Sequence, residues 1–309
     1  MQDNNMTEKK DRLPLVTISM PVFNGASSIS NALDSIVAQT YPNLEIIVSD
    51  NASDDETFDI CQRYEKKDPR IVLQRQDSNV GVYANSRSIW KRARGRYILF
   101  SGCDDTWKPN FIEKLVAALE NNPHAALAAC RAEYYSERDE FLDAKPLENL
   151  EKPTIFQAIK RLYHLLYIGE EPKNYNRYIL GLFNLDLVKK FMADYPDLPG
   201  DTAFLSAFAC DYGFIFVDEP LMKKIKNDKP FRERYKDDPY SISHRKAIET
   251  PLGRIKMDIE RFAYLFSSSF ISTRSKVFVL PPVCIVVFWG LGMSFIWKLI
   301  GRFLAAFKR

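Results

Sequence analysis

Histidine is scarce in this sequence: His124, His164 and His244 are the only three in 309 residues, and no two stand at a metal-ligand spacing. That excludes a zinc hydrolase of the H-E-x-x-H kind, so any metal has to be held by carboxylates. Cysteine is sparse too. Cys61, Cys103, Cys130, Cys210 and Cys284 include no C-x-x-C pair, and an odd total of five fits free thiols in a reducing compartment better than a disulfide framework. Charge of one sign is also missing. With 43 Lys plus Arg against 40 Asp plus Glu the net charge is +3, which argues against a nucleic-acid partner for the whole molecule. Residues 1–12 are polar and lack the apolar run of a secretory signal, so the bulk of the protein is expected inside the cell. No internal repeat is visible.

What is present is ordinary for a folded protein: 46% hydrophobic and 13% aromatic residues, enough to exclude a disordered chain. The length suits one large domain with an appendage. The run Leu15-Val16-Thr17-Ile18-Ser19-Met20, stopping at Pro21, reads as a buried strand, and Asn24-Gly25 as the turn after it. A helix is expected over 27–39, with Ile29, Leu33, Ile36 and Val37 on one stripe, then a second buried strand over 44–49 ending at Asp50. Helices over 54–67 and 83–93 and strands over 70–75 and 96–101 continue the alternation. The expected fold is α/β, a mostly parallel, Rossmann-like sheet flanked by helices. In such sheets ligands bind outside the carboxyl ends of the strands, where Asn24, Asp50, Asn51, Asp104 and Asp105 fall. Further on, a helix is expected over 108–121, a short strand over 125–131, a charged loop over 133–152, helical segments over 155–166 and 201–212, and a strand over 214–217.

The pair Asp104-Asp105 follows the apolar strand Tyr97-Ile98-Leu99-Phe100, where two carboxylates can face one divalent cation. Such hard oxygen ligands suit Mg²⁺ or Mn²⁺, which would stabilise a diphosphate leaving group. An isolated Asp-Asp is more often a solvated turn or a cap, and the strand-end position is what favours the cation site here.

Three stretches in order, Ile18-Ser19-Met20-Pro21-Val22-Phe23-Asn24, Ala32-Leu33-Asp34-Ser35-Ile36-Val37-Ala38-Gln39-Thr40-Tyr41-Pro42 and Glu45-Ile46-Ile47-Val48-Ser49-Asp50-Asn51-Ala52-Ser53-Asp54-Asp55, resemble the opening of family 2 glycosyltransferases, which have the GT-A fold. Asn79-Val80-Gly81 and Gly95-Arg96-Tyr97-Ile98, ahead of Asp104-Asp105, extend the match. The resemblance covers 15–225, tightly in its first half and loosely in its second. It implies a nucleotide-sugar donor, with Pro21, Val22 and Phe23 lining the nucleotide and Asp50 accepting a hydrogen bond from the base. It places Asp104 near the ribose and Asp105, with Asp104 beside it, on the metal. The family often has a further Asp two places before Asp104, where this chain has Gly102, and that departure weakens the expected metal set.

Inverting sugar transfer needs a carboxylate to take the proton of the acceptor hydroxyl. Asp201, after Pro199-Gly200, stands where the family carries this base, and helix N-cap is its competing role. Gly181, Leu182 and Phe183 resemble the segment bordering the family's acceptor pocket, the alternative being a packed strand. Trp107 is open to two readings, a platform for a sugar ring or a core residue.

The tail differs in kind. Residues 277–297 form a stretch of 21 without one charge, flanked by Arg274 and Lys276 before and Lys298, Arg302, Lys308 and Arg309 after. About 20 apolar residues cross a bilayer as a helix. Basic residues at both ends and Pro281-Pro282 leave a spanning helix and a re-entrant one both open. The expected organisation is a polar segment 1–14, a catalytic domain 15–225, a charged juxtamembrane linker 226–276, a membrane helix 277–297 and a basic tail 298–309. The expected function is transfer of a sugar, from a UDP-linked donor, to a saccharide or polyprenyl-linked glycan at the cytoplasmic face of a membrane, in surface polysaccharide biosynthesis. Two rivals remain: an inactive membrane-associated scaffold of the same fold, and a nucleotidyltransferase, which would want a Gly/Arg/Lys-rich phosphate loop that Pro21-Val22-Phe23-Asn24 does not supply.

Overall fold

The computed structural model describes residues 13–136, 138–144, 149, 151, 175–194, 201–226 and 271–273. The chain runs β1 (Val16–Val22), α1 (Ile29–Val37), β2 (Leu44–Asp50), α2 (Thr57–Lys67), β3 (Ile71–Arg75), α3 (Val82–Arg92), β4 (Tyr97–Phe100), β5 (Asp105–Trp107), α4 (Phe111–Glu120), β6 (Ala125–Ser136) and β7 (Phe141–Asp143). A 3-10 turn (Tyr175–Leu180), β8 (Leu182–Asn184), α5 (Leu185–Asp194), α6 (Asp201–Asp211) and β9 (Gly213–Lys226) follow. The nine strands form one sheet ordered β3-β2-β1-β4-β8-β6-β9-β5, with β7 beside β6.

Two helical layers cover the sheet, and strand alternation assigns residues to each. Val16, Ile18, Met20 and Val22 of β1 face α1, α2 and α4, meeting Ile29, Ala32, Leu33 and Ile36, which recur at helical spacing on α1. The opposite face carries Ile98, Phe183 and Ala126 against Ile89 and Trp90 of α3 and the aromatic face of α6. Glu45, on that second face and 6% exposed, is satisfied by Thr17 Oγ1, by the backbone N–H groups of Arg94 and Gly95, and by Arg94 Nε at 3.0 Å. Those bonds clamp the N-terminal edge of the sheet, away from the loops that carry chemistry.

Several expectations are corrected. Parallel pairing holds for β3-β2-β1-β4 and again for β6 with β9, so the sheet is mostly parallel as expected, but β8 runs antiparallel to β4 and to β6, and β5 and β7 run antiparallel to β9 and β6, strands the alternation did not announce. Strand β1 does not stop at Pro21. Ser19 O accepts from Ser101 N on the β4 side and Val22 O accepts from Asn51 N on the β2 side, so Pro21, two residues after Ser19, turns its missing N–H toward β4. The β1–β4 register ends at Ser19 and Phe100, so no ladder bond is lost there. The loop expected over 133–152 begins instead as the last third of β6, followed by the β7 hairpin strand. Register shifts around Arg131 break the period-2 pattern that would have shown it. Beyond the boundary expected at Ile225, Ile271 is 2% exposed in the second core and Ser272 bonds Asp211 through its backbone N–H at 2.8 Å and its hydroxyl at 2.7 Å, so this later segment packs on the same core. The helix expected over 155–166 and the membrane helix over 277–297 lie outside the described residues. Among those described, no helix is long and apolar enough to cross a membrane.

Candidate functional site

Strands β2 and β3 lie on one side of β1 and β4 on the other, so the chain reverses direction across the sheet between β3 and β4. The carboxyl ends of β1 and β4 flank the resulting crevice, the place where open α/β sheets take their ligands. The loop after β1 is stitched to the loop after β2. Asn24, at φ 50°, donates its N–H to Ser53 Oγ at 2.9 Å and accepts from Asp54 N at 3.1 Å, while Gly25 N reaches Thr57 Oγ1 at 2.8 Å and Ala26 N reaches Asp55 at 3.1 Å. Of the three residues expected to line a nucleotide, Val22 is core, Pro21 is half-buried and Phe23 stands 42% exposed at the mouth of the crevice. Phe23 is therefore the one with an apolar face to offer.

Asp50 ends β2 with no exposed surface. Its carboxylate accepts from Ser53 N at 3.2 and 3.4 Å and pairs with Arg75 Nε at 3.1 Å. Arg75 also donates to Ser53 O at 2.7 Å and lies 4.5 Å over the Phe58 ring, leaving its side chain 44% exposed between Asp50 and solvent. Arg75 thus covers Asp50 on the solvent side. Sequence reasoning missed this partner of Asp50, although an Arg closing the strand next to Asp50 was the available signal. Behind, Asn51 and Asn79 join at 2.8 Å, and Val80 N and Gly81 N donate to the same two amides. Gly81, at φ 85° and ψ 157°, takes a backbone conformation that only glycine adopts without strain, and it turns the loop into α3.

The carboxylate pair sits where the sequence placed it, but not as a plain loop. Asp105 begins β5, whose antiparallel register sets it opposite Lys224 of β9. Lys224 Nζ donates to Asp105 Oδ1 at 2.6 Å, and Asp105 is 1% exposed. Burial pushes the Asp105 carboxyl above the usual carboxylate range, opposed by the Lys224 ammonium and aided by Asp104. Burial acts to lower the pKa of Lys224, but Asp105 and Asp104 outweigh it and raise it. The second oxygen, Asp105 Oδ2, is buried with no hydrogen-bond partner among the described residues. A Cβ added to Gly102 would lie 2.7 Å from Asp104 Oδ1 and 2.9 Å from that same Asp105 Oδ2. Two carboxylate oxygens thus converge over Gly102. Among the described residues no cluster of three or more His, Cys, Asp or Glu can hold a metal ion. Two carboxylates with the rest of the shell from water and phosphate is nevertheless the usual way Mg²⁺ is held, so the donor set fits such an ion.

Asp201 opens α6, and one turn later Phe204 packs on Phe100 at 5.8 Å, Phe183 at 5.4 Å and Phe191 at 4.9 Å between ring centroids. Phe100 closes β4 and is four residues ahead of Asp104, so the helix that opens with Asp201 is docked on the strand that leads into the carboxylates. Leu182 and Phe183 have no exposure and form β8 with Asn184. They take the packed-strand alternative, with Gly181 at a close backbone approach where a Cβ would meet Ala128 O at 2.4 Å. Trp107 is 5% exposed in the core beside Phe111, at 6.3 Å between rings, and presents no face to a sugar.

Residues 17–180, more than half of the chain, match the profile of Glycosyl transferase family 2. The chain belongs to that family. It is 38% identical over 101 residues to the putative teichuronic acid biosynthesis glycosyltransferase TuaG of Bacillus subtilis, covering 33% of this chain and 40% of that protein. Over 127 residues it is 32% identical to the Escherichia coli UDP-Glc:alpha-D-GlcNAc-diphosphoundecaprenol beta-1,3-glucosyltransferase WfaP, covering 41% and 49%. The matches span less than half the length of these two relatives. The crystal structure of S. aureus TarS 1-349 in complex with UDP-GlcNAc superposes with a TM-score of 0.56 at 14% identity, over 90% of this chain and 88% of that one, a likeness of fold. The matched residues include Pro21, Phe23, Asp50, Arg75, Asp104 and Asp105 and end just before β8.

Proposed function

We propose that this chain is an inverting glycosyltransferase that moves a sugar from a UDP-linked donor to a saccharide or polyprenyl-linked glycan, in the assembly of a surface polysaccharide. The observation that carries this reading is the convergence of Asp104 and Asp105 on one space beside the β1–β4 crevice, in a chain of this family. The names of TuaG and WfaP support the acceptor class and that of WfaP a UDP-sugar. The nucleoside enters against Phe23, with Arg75 and Asp50 at its base and Asp104 near its ribose. The diphosphate lies by Asp104 and Asp105, which hold Mg²⁺ or Mn²⁺. When bound, that ion supplies positive charge to the leaving diphosphate.

Asp201 takes the proton from the acceptor hydroxyl. The freed oxygen then forms a bond to the anomeric carbon as the bond from that carbon to the donor phosphate breaks, with its electron pair leaving on the diphosphate. The new bond forms on the face opposite the old one, which inverts the configuration. The aromatic packing of α6 on β4 keeps base and carboxylates in fixed relation. Residues 277–297 hold the chain at the cytoplasmic face of a membrane, which concentrates it with a lipid-linked acceptor.

The test is release of nucleoside diphosphate from a panel of nucleotide sugars by the detergent-solubilised protein, with Mn²⁺, Mg²⁺ or EDTA. Turnover with a UDP-sugar that requires metal and disappears in Asp105→Ala supports the donor reading, and loss of transfer with retained donor binding in Asp201→Asn supports the base. A folded protein that binds and turns over no nucleotide sugar sinks the reading in favour of an inactive scaffold.

A further inference from the structure

The Asp105–Lys224 pair does more than fill a gap in the sheet. Lys224 faces Asp105 across the β5–β9 ladder, its side chain is 28% exposed, and its ammonium occupies only one of the two oxygens of Asp105. The other, Asp105 Oδ2, is buried, lacks a partner among the described residues and converges with Asp104 Oδ1 over Gly102. The trio of two carboxylates and one ammonium carries a single negative charge in excess. A divalent cation arriving alone therefore meets a weakened field and a fixed positive charge on the carboxylate it needs. A nucleoside diphosphate brings the negative charge that accommodates both cations.

We infer that Lys224 is a built-in counter-ion that makes divalent-cation binding at Asp104 and Asp105 conditional on a bound diphosphate, and that its ammonium contacts that diphosphate. The diphosphate half rests on the donor reading above, whereas the effect on the free cation does not. Lys224 contacts the diphosphate in this scheme and takes no proton from the acceptor.

The experiment titrates the full-length protein with Mn²⁺ alone, reading free Mn²⁺ by electron paramagnetic resonance, in wild type, Lys224→Met, Lys224→Gln and Lys224→Arg, each first checked by thermal melting. Loss of the charge in either Met or Gln is expected to tighten Mn²⁺ binding without nucleotide by about tenfold or more. Arg is expected to bind as wild type, and adding Asp105→Asn is expected to abolish the gain. A second titration with UDP in EDTA is expected to weaken by about tenfold in Met and Gln. Using two charge-removing variants keeps the result decisive should one fail to fold. Unchanged Mn²⁺ affinity in the folded variant, or an Arg variant that tightens as much as Met, overturns the inference. A Mn²⁺ gain with no UDP binding in any form would instead fell the donor reading and leave the charge effect of Lys224 standing.

Discussion

Gly102→Ala is the smallest perturbation that reaches the carboxylate pair. The added methyl would lie 2.7 Å from Asp104 Oδ1, 2.9 Å from Asp105 Oδ2 and 3.3 Å from Asp105 Cγ. Asp104 is half-buried and can rotate away. Asp105 is 1% exposed and held by Lys224 at 2.6 Å, so it yields only by straining that pair. Overpacking of this kind costs about 1–3 kcal/mol. Full rupture of the pair, leaving a buried charge uncompensated, sets an upper bound of about 3–5 kcal/mol. A loss of about 2 kcal/mol in urea unfolding is expected, together with a fall of about tenfold or more in Mn²⁺-dependent UDP affinity, because the methyl occupies the space on which both oxygens converge. Calorimetric titration of UDP with saturating Mn²⁺ reads the second effect independently of the first. A variant within about 0.5 kcal/mol of wild type and with unchanged UDP affinity would refute the claim that the two carboxylates close over Gly102.

Phe204→Ala should cost about 3–5 kcal/mol in urea unfolding, as removal of a core ring 2% exposed, and should lower kcat for transfer more than the KM for donor, because α6 carries Asp201. Arg75→Met should weaken UDP binding and, by leaving the buried Asp50 carboxylate with Ser53 N alone among the described residues, destabilise the fold by about 1–3 kcal/mol, read by calorimetry and thermal melting. Glu45 has its pKa lowered below the ordinary 4.5, burial acting upward but outweighed by its bonds to Thr17 and Arg94. Its contribution to stability is therefore complete above 4.5 and is lost as pH falls through its folded pKa, so urea melts at descending pH should show an acid loss that Glu45→Gln lacks. Burial pushes the thiols of Cys61, Cys103 and Cys130 up to about 12, so iodoacetamide at pH near 8 should label them only in denaturant, as read by mass spectrometry.

How far the fold could be read depended on whether each element carried its own local signal. Strands β1, β2 and β4 are buried on both faces and read as apolar runs, and α1 shows its stripe at Ile29, Ala32, Leu33 and Ile36. The elements that failed to show are set by partners distant in sequence. Strand β5 is three residues long and exists because Asp105, Thr106 and Trp107 pair with Lys224, Lys223 and Met222. The second half of β6 carries Glu133, Tyr134 and Tyr135, polar or amphipathic residues with no apolar alternation, and is a strand because β9 runs beside it to Lys226. Gly181 to Asn184 was legible as a motif but not as a core strand, since nothing local reveals that Ala128 O stands where a side chain on Gly181 would go.

The site divides along the same line, and the division bears on how such sites are read from sequence. Asp50, Asp104 and Asp105 were identifiable because strand ends in an alternating α/β chain point to one edge, a rule that needs no long-range information. The groups that set their charge were not. Arg75 reaches Asp50 from the neighbouring strand, and Lys224 reaches Asp105 across 119 residues of chain. A carboxylate pair in sequence suggests a strongly anionic site. The same pair with an ammonium on one oxygen, and beside it an oxygen without a partner among the described residues, has one negative charge in excess, so the proposed cation affinity depends on what else is bound. Counting ligands along the chain therefore overstates the affinity for free metal, and the strand register decides the sign of the error. By this reasoning the family's missing Asp at position 102 and the presence of Lys224 act in the same direction, both lowering the negative charge offered to an ion that arrives without its nucleotide.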